Sequence, residues 1–141
     1  MINQEWINID LITDDAFGFI YKITDLTTGL LYIGSKQLYH TRKVKLSKKK
    51  KKLLNTRKIY EYVQRYSGWK EYTGSSIDLN EEIKKDIHIF KKEIIMIVFN
   101  KKQIKYYETK YQFVYEVLEK QSFNQNILGK YYRSDLIWKI V

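Results

Sequence analysis

Two tyrosines, Tyr21 and Tyr32, stand in two short runs of aromatic and β-branched residues that read as the strands of a hairpin. Phe17 to Ile23 is the first run, Leu30 to Gly34 the second, and Thr24-Asp25-Leu26-Thr27-Thr28-Gly29 between them supplies turn residues. A symmetric turn sets Tyr21 directly across from Tyr32, and directly opposed residues of an antiparallel pair project from one face. Two adjacent phenols offer hydrogen-bond donors and, if cations lower their pKa, a proton acceptor. Tyrosine is also a preferred strand residue, and 13 of them must sit somewhere, so packing alone would also produce such a pair. Glu108 is a second candidate. At about 100° per residue it falls at the edge of the stripe formed by Ile104, Tyr107, Tyr111, Val114 and Tyr115. A carboxylate turned partly from water calls for a cation, either a divalent metal or Lys105 or Lys110.

A third feature is the basic block Lys43 to Lys58, holding Lys43, Lys45, Lys48, Lys49, Lys50, Lys51, Lys52, Arg57 and Lys58. Like charges repel, so its centre is expected to be mobile until an anion binds. With a formal charge of +10, the chain suits a polyanion, nucleic acid before an anionic membrane surface.

The elements that must position these groups follow in order. Residues 1 to 16 form a lead-in that packs on the sheet edge, and Ser35 to Arg42 an exit loop holding Lys36, His40 and Arg42. Ile59, Tyr62, Val63 and Tyr66, at spacings of three and four, predict a short helix from Asn55. Gly68 to Ser76 is a loop, and Asp78 with Glu81 caps a helix through about Asp86. The apolar run within Ile89 to Phe99 predicts a third strand, central or well covered. Asn100 and Gln103 cap a helix running to about Lys120. The tail from Ser122 folds back to bury Leu136, Ile137, Trp138 and Ile140. At 141 residues, 44% of them hydrophobic, the chain is read as one domain. The absence of cysteine excludes disulfides and thiolate metal sites. The absence of a spanning apolar run or a signal-like start leads us to expect a soluble, cytoplasmic protein.

Phe19-Ile20-Tyr21 and Tyr32-Ile33-Gly34 resemble the GIY-YIG nuclease signature, with Phe19 in place of the name-giving Gly and Gly18 one residue earlier. Arg42, ten residues after Tyr32, stands where that family's arginine is expected. Asn124 after Phe123 resembles its late Asn, with Asn126 competing for the role. The His that many members carry one helical turn after the arginine is Leu46 here, leaving His40 or Lys36 as substitutes. Trp69-Lys70-Glu71-Tyr72-Thr73-Gly74-Ser75-Ser76 is similar to a loop of the phage-encoded, homing-type branch.

The resemblance implies a small α/β sandwich, a three-stranded antiparallel sheet flanked by helices, spanning residues 1–141 with a basic insertion at 43–58. It implies an endonuclease that hydrolyses double-stranded DNA with Mg²⁺ or Mn²⁺ on Glu108. Tyr21, made phenolate by Arg42, Lys22 or Lys36, would take a proton from the attacking water, and Tyr32 would orient that water or the phosphate. Arg42 would grip the scissile phosphate with its planar fork, and Asn124 would support the site by hydrogen bonding. Lys36, His40 and the basic block would hold the DNA backbone. The alternative is a basic DNA- or RNA-binding domain that does not cut.

Overall fold

The computed structural model describes residues 2–136. Its hairpin consists of β2 (Gly18–Asp25) and β3 (Leu31–Gln37), paired antiparallel. Asp25 shapes the turn: its backbone N–H donates to Leu30 O at 2.8 Å, its Oδ1 accepts from Thr27 N at 2.9 Å, and Gly29 closes the loop at φ +79°. This turn is centred one residue later than a symmetric reading of residues 24–29 places it. Tyr21 therefore opposes Gly34, and Tyr32 opposes Ile23, which corrects the expected Tyr21–Tyr32 register. Because side chains alternate with a period of two, a partner shift of two keeps both phenols on one face. They meet diagonally, ring centroids 6.1 Å apart.

β1 (Ile2–Ile7) and β6 (Phe90–Val98) complete one sheet in the order β1-β6-β2-β3. The sheet thus has four strands, not three, and it is mixed, since β1 runs parallel to β6. The reason lies in β6, whose apolar run sits inside the sheet and needs a partner on each side. The lead-in supplies the second one and buries Trp6. One face packs Trp6, Phe19, Tyr21, Ile23, Phe90 and Ile94 against Trp69 and Leu79. Phe19, in the motif's glycine position, is wholly buried between Trp6 and Trp69. The other face packs Ile20, Ile33 and Val98 under α3 (Lys101–Val114) and the following Val117 and Leu118.

Helix α3 is capped as its sequence predicts, with Asn100 Oδ1 accepting from Gln103 N at 2.8 Å. It ends at Val114 rather than near Lys120, because Glu116 turns into the left-handed region at φ +52°. Val114 is exposed and Gln112 takes a buried place on the helix instead.

The largest departures lie between β3 and the Trp69 loop. The expected exit loop, Ser35 to Arg42, is instead the end of β3 and the start of β4 (Tyr39–Lys45), and the expected helix is β5 (Tyr60–Tyr66), which pairs with β4 in a separate two-stranded ribbon. Tyr60, Tyr62, Gln64 and Tyr66 alternate with Glu61, Val63 and Arg65, a period-two pattern that the spacing of Ile59, Tyr62, Val63 and Tyr66 disguised. The middle of the lysine block is the helix α1 (Lys48–Leu54), its N-cap Ser47 Oγ accepting from Lys50 N at 3.2 Å.

Helix α2 (Ile77–Lys85) starts two residues earlier than expected, because Ser76 and not Asp78 accepts from the first turn. The tail makes a short hairpin, β7 (Asn126–Ile127) with β8 (Tyr131–Tyr132), then α4 (Arg133–Leu136). Arg133 secures it by donating to Val117 O at 2.6 Å and Asn124 O at 2.7 Å. Leu136 is exposed, contrary to expectation, while Ile137, Trp138 and Ile140 lie outside the described residues.

Gly34 is where the hairpin tolerates least. A Cβ there would stand 2.6 Å from Tyr21 Cζ and 2.9 Å from Tyr32 Cε1, and closer still to the Tyr21 hydroxyl. Tyr21 is buried and has nowhere to retreat. Gly34→Ala is expected to lower stability by about 1–3 kcal/mol, measured by urea unfolding, and to alter the near-ultraviolet tyrosine signal.

Candidate active site

The phenol of Tyr21 is enclosed by the rings of Trp6, Phe19, Tyr32 and Tyr72, with centroids at 5.2 to 6.1 Å. Burial pushes its pKa well above the ordinary tyrosine value, and the nearby Tyr32, Tyr72 and Glu108 push the same way. Tyr32 is raised too, first by burial and also by Glu108, with partial relief from Ser75 Oγ at 2.9 Å.

The cations expected to make a phenolate do not surround Tyr21. Lys22 is on the opposite face, over the Tyr115 ring and 3.8 Å from Glu93. Lys36 stacks on the Tyr72 ring at 4.2 Å, and Arg42 is exposed on β4. In the protein alone Tyr21 is a neutral hydroxyl at pH 7.

The loop over this pair is anchored by two groups that sequence reading passed over. Trp6 Nε1 donates to Trp69 O at 2.8 Å, and Lys92 Nζ donates to Lys70 O at 3.0 Å and Tyr72 O at 3.2 Å. Lys92 is fully buried against Trp6, and burial lowers its pKa to about 8. Its signal was the alternation Phe90, Lys92, Ile94, which puts a lysine on an apolar face. The anchored loop then brings Gly74, at φ +85°, onto the phenols, where a Cβ would come 3.3 Å from the Tyr21 hydroxyl.

Glu108 comes from the helix on the other face of the sheet. It lines the same cleft as Tyr32 because β3 is an edge strand, and the two faces meet around its open side. Ser35 Oγ donates to Glu108 Oε2 at 2.6 Å, and Gln112 Nε2 lies 3.4 Å from Oε1. Burial raises the pKa of Glu108, partly offset by Ser35 and the charge of Lys105. Among the described residues Glu108 forms no ion pair, and Lys110 lies instead near the Tyr107 ring. Tyr32, Ser75, Glu108, Gln112 and Asn124 line one cleft of about 590 Å³.

Asn124 holds that edge in place. Its Oδ1 accepts from Ile33 N at 2.9 Å and its Nδ2 donates to Ile33 O at 2.9 Å, so one amide occupies the place of a missing neighbouring strand. Gln112 adds a bond to Ile33 O at 3.2 Å. Asn126 instead closes a turn by accepting from Gly129 N.

The structure therefore gathers Tyr32, Glu108 and Asn124 in the cleft, with Tyr21 buried behind Tyr32 and outside the cleft lining and Lys36 adjacent at Tyr72, and adds Ser35, Tyr72, Lys92 and Gln112. His40, Arg42, Lys43 and Lys45 are on β4, Lys48, Lys49, Lys50, Lys51 and Lys52 on α1, and Arg57 and Lys58 between α1 and β5. None of these lines the cleft.

No cluster of three or more His, Cys, Asp or Glu occurs among the described residues. A hard cation that keeps most of its waters needs only one or two carboxylates plus substrate oxygens. Glu108, half-buried and held by a hydroxyl, fits that demand.

The described residues thus form an α/β fold in which a hydroxyl of the edge hairpin and a helix-borne carboxylate line one cleft. Residues 2–136 match the family described as putative endonuclease segE, GIY-YIG domain, and the chain belongs to this GIY-YIG endonuclease family, whose substrates are nucleic acids. Comparison with curated proteins and with solved structures gives no match. Among the described residues no helix is long and apolar enough to cross a membrane.

Two outcomes are expected. Asn124→Ala leaves the buried N–H of Ile33 without a partner and its carbonyl to Gln112 alone, and should lower stability by about 1–3 kcal/mol, read from urea denaturation. Burial keeps the Glu108 proton on to a higher pH than in the unfolded chain, so ionisation of Glu108 opposes folding at neutral pH and not below the usual Glu range. Glu108→Gln should therefore melt above the wild type at pH 7, with the difference closing as the pH falls to about 4.

Proposed function

We propose that the chain acts as one α/β sandwich domain with a basic insertion, an endonuclease of the phage-encoded, homing type that cuts double-stranded DNA with Mg²⁺ or Mn²⁺. The observation that supports it best is Glu108. It is a half-buried carboxylate with no ion pair among the described residues, fixed by Ser35 and close enough to raise the pKa of both phenols. Such a group is stabilised by a cation brought to the cleft, and phosphate oxygens would share it.

When bound, the cation supplies positive charge to the scissile phosphate and the departing oxygen. Glu108 would hold it in the cleft. Tyr32, braced by Ser75, presents a hydroxyl to the cleft and orients the attacking water or a phosphoryl oxygen. Tyr21, buried behind it and outside the cleft lining, would take part as a neutral hydroxyl that donates to the phosphate and accepts from the water once substrate opens the cleft to it, in a site shielded by Trp6 and Tyr72. Arg42 grips a DNA phosphate from the ribbon with its two-pronged guanidinium. Asn124 acts as a positioning residue through Ile33. Lys36, His40 and the basic residues from Lys45 to Lys58 neutralise backbone phosphates, so affinity should fall steeply with salt.

The competing reading, a basic domain that binds DNA or RNA without cutting, draws on the fact that the charge lies away from the cleft. Supercoiled plasmid with Mg²⁺ separates the two. The nuclease is expected to nick or linearise it, and EDTA to stop the reaction. Glu108→Gln should bind DNA but not cut, and Tyr21→Phe should lose at least about a hundredfold in rate. Cleavage by Glu108→Gln at the wild-type rate would overturn the assignment of the carboxylate.

A further inference from the structure

Residues 39–66 hold eleven Lys and Arg against one Glu, Glu61, and so carry the chain's entire formal charge of +10. The rest balances, with fifteen basic and fifteen acidic residues. The molecule is thus a neutral body bearing the nuclease-like cleft and a cationic arm made of β4, α1 and β5.

A two-stranded ribbon is marginal by itself, and this one covers neither face with a core of its own. Of its fourteen strand residues, only Val44 and Glu61 are even half-buried, both near the end where Lys50 Nζ meets Glu61 at 2.7 Å. The opposite face carries Tyr39, Thr41, Lys43 and Lys45 beside Tyr66, Gln64, Tyr62 and Tyr60, as the register dictates. It holds no carboxylate and no aliphatic side chain. Tyr62 is 71% exposed, so little within the described chain packs on it.

We propose that this ribbon enters the major groove of duplex DNA and reads base edges with Thr41, Lys43, Tyr62 and Gln64, while the lysines of α1 hold the flanking phosphates. The inference rests on duplex DNA being the substrate of the cleft. A major groove about 12 Å wide admits a two-stranded ribbon, and seven-residue strands, about 23 Å long, are enough to cross it. Glutamine pairs with adenine, lysine with guanine and threonine with either, the groups this face displays. The deep, narrow major groove of duplex RNA excludes such an element.

The root of the ribbon ties recognition to the cleft. Leu38, between β3 and β4, is buried in the same core as Tyr21, its N–H donates to Phe17 O at 3.0 Å, and its carbonyl accepts from Ser67 N at 3.1 Å. The strand that carries Tyr32 thus continues almost directly into the strand that carries Thr41, which sets a fixed distance from the bases read to the bond cut.

The test selects duplexes that bind the full chain in EDTA from a random-sequence pool and maps methylation interference on the winners. Methylation of guanine N7, in the major groove, should block binding within one short patch, and methylation of adenine N3, in the minor groove, should not. Tyr62→Ala with Gln64→Ala should cut the preference for the selected over a random duplex at least about tenfold. Changing Lys48 to Lys52 to Ser should weaken both duplexes alike and flatten the salt dependence.

Interference confined to adenine N3, no selected sequence, a preference untouched by the double variant, or equal competition by duplex RNA would each overturn the proposal. The interference map uses unaltered protein, so it stands even if a variant misfolds. Cleavage is scored apart on plasmid: intact plasmid with the guanine pattern present would remove the nuclease reading and leave the ribbon's role standing.

Discussion

The contact on which this structure depends is the ring of Tyr21 lying across Gly34. One strand supplies a large buried phenol, the next supplies the absence of a side chain, and only that pairing lets two tyrosines share a face beside the cleft. Trp6, Phe19 and Tyr72 close the space around the ring, so its hydroxyl is desolvated and neutral rather than ionised.

The second constraint is an uncovered edge. Strand β3 ends the sheet, and an edge strand exposes backbone groups that seek partners. Here the amide of Asn124 takes both groups of Ile33, which satisfies the backbone without a further strand. A fifth strand would have separated the faces. The open side lets Glu108, from the helix on one face, approach phenols that belong to the other. On the far side of those phenols, Lys92 and Trp6 do similar work for the loop that bears Tyr72 and Gly74, holding its carbonyls with buried donors.

Charge is partitioned as sharply as packing. The body that holds the cleft is balanced, and the arm that follows β3 carries the excess. A neutral body escapes the self-repulsion that a uniformly spread +10 would bring, while the arm keeps long-range attraction for a polyanion. The same separation explains why Arg42, close to Tyr32 in sequence, is apart from the cleft: four residues beyond the buried Leu38, the chain has already left the sheet.

Much of the hairpin, β6, the Asn100 cap and the candidate residues Tyr21, Tyr32, Glu108 and Asn124 could be read from the chain, because each depends on local alternation, helical spacing or a short ordered motif. The ribbon could not, since Ile59, Tyr62, Val63 and Tyr66 satisfy a helical spacing as well as Tyr60, Tyr62 and Tyr66 satisfy a strand. Only pairing with β4 decides between them. The register of the phenols, the role of Lys92 and the neutral state of Tyr21 were likewise settled by tertiary structure. Each turns on which groups from distant segments exclude water from one another, and burial of that kind is a property of the folded assembly rather than of any stretch of sequence.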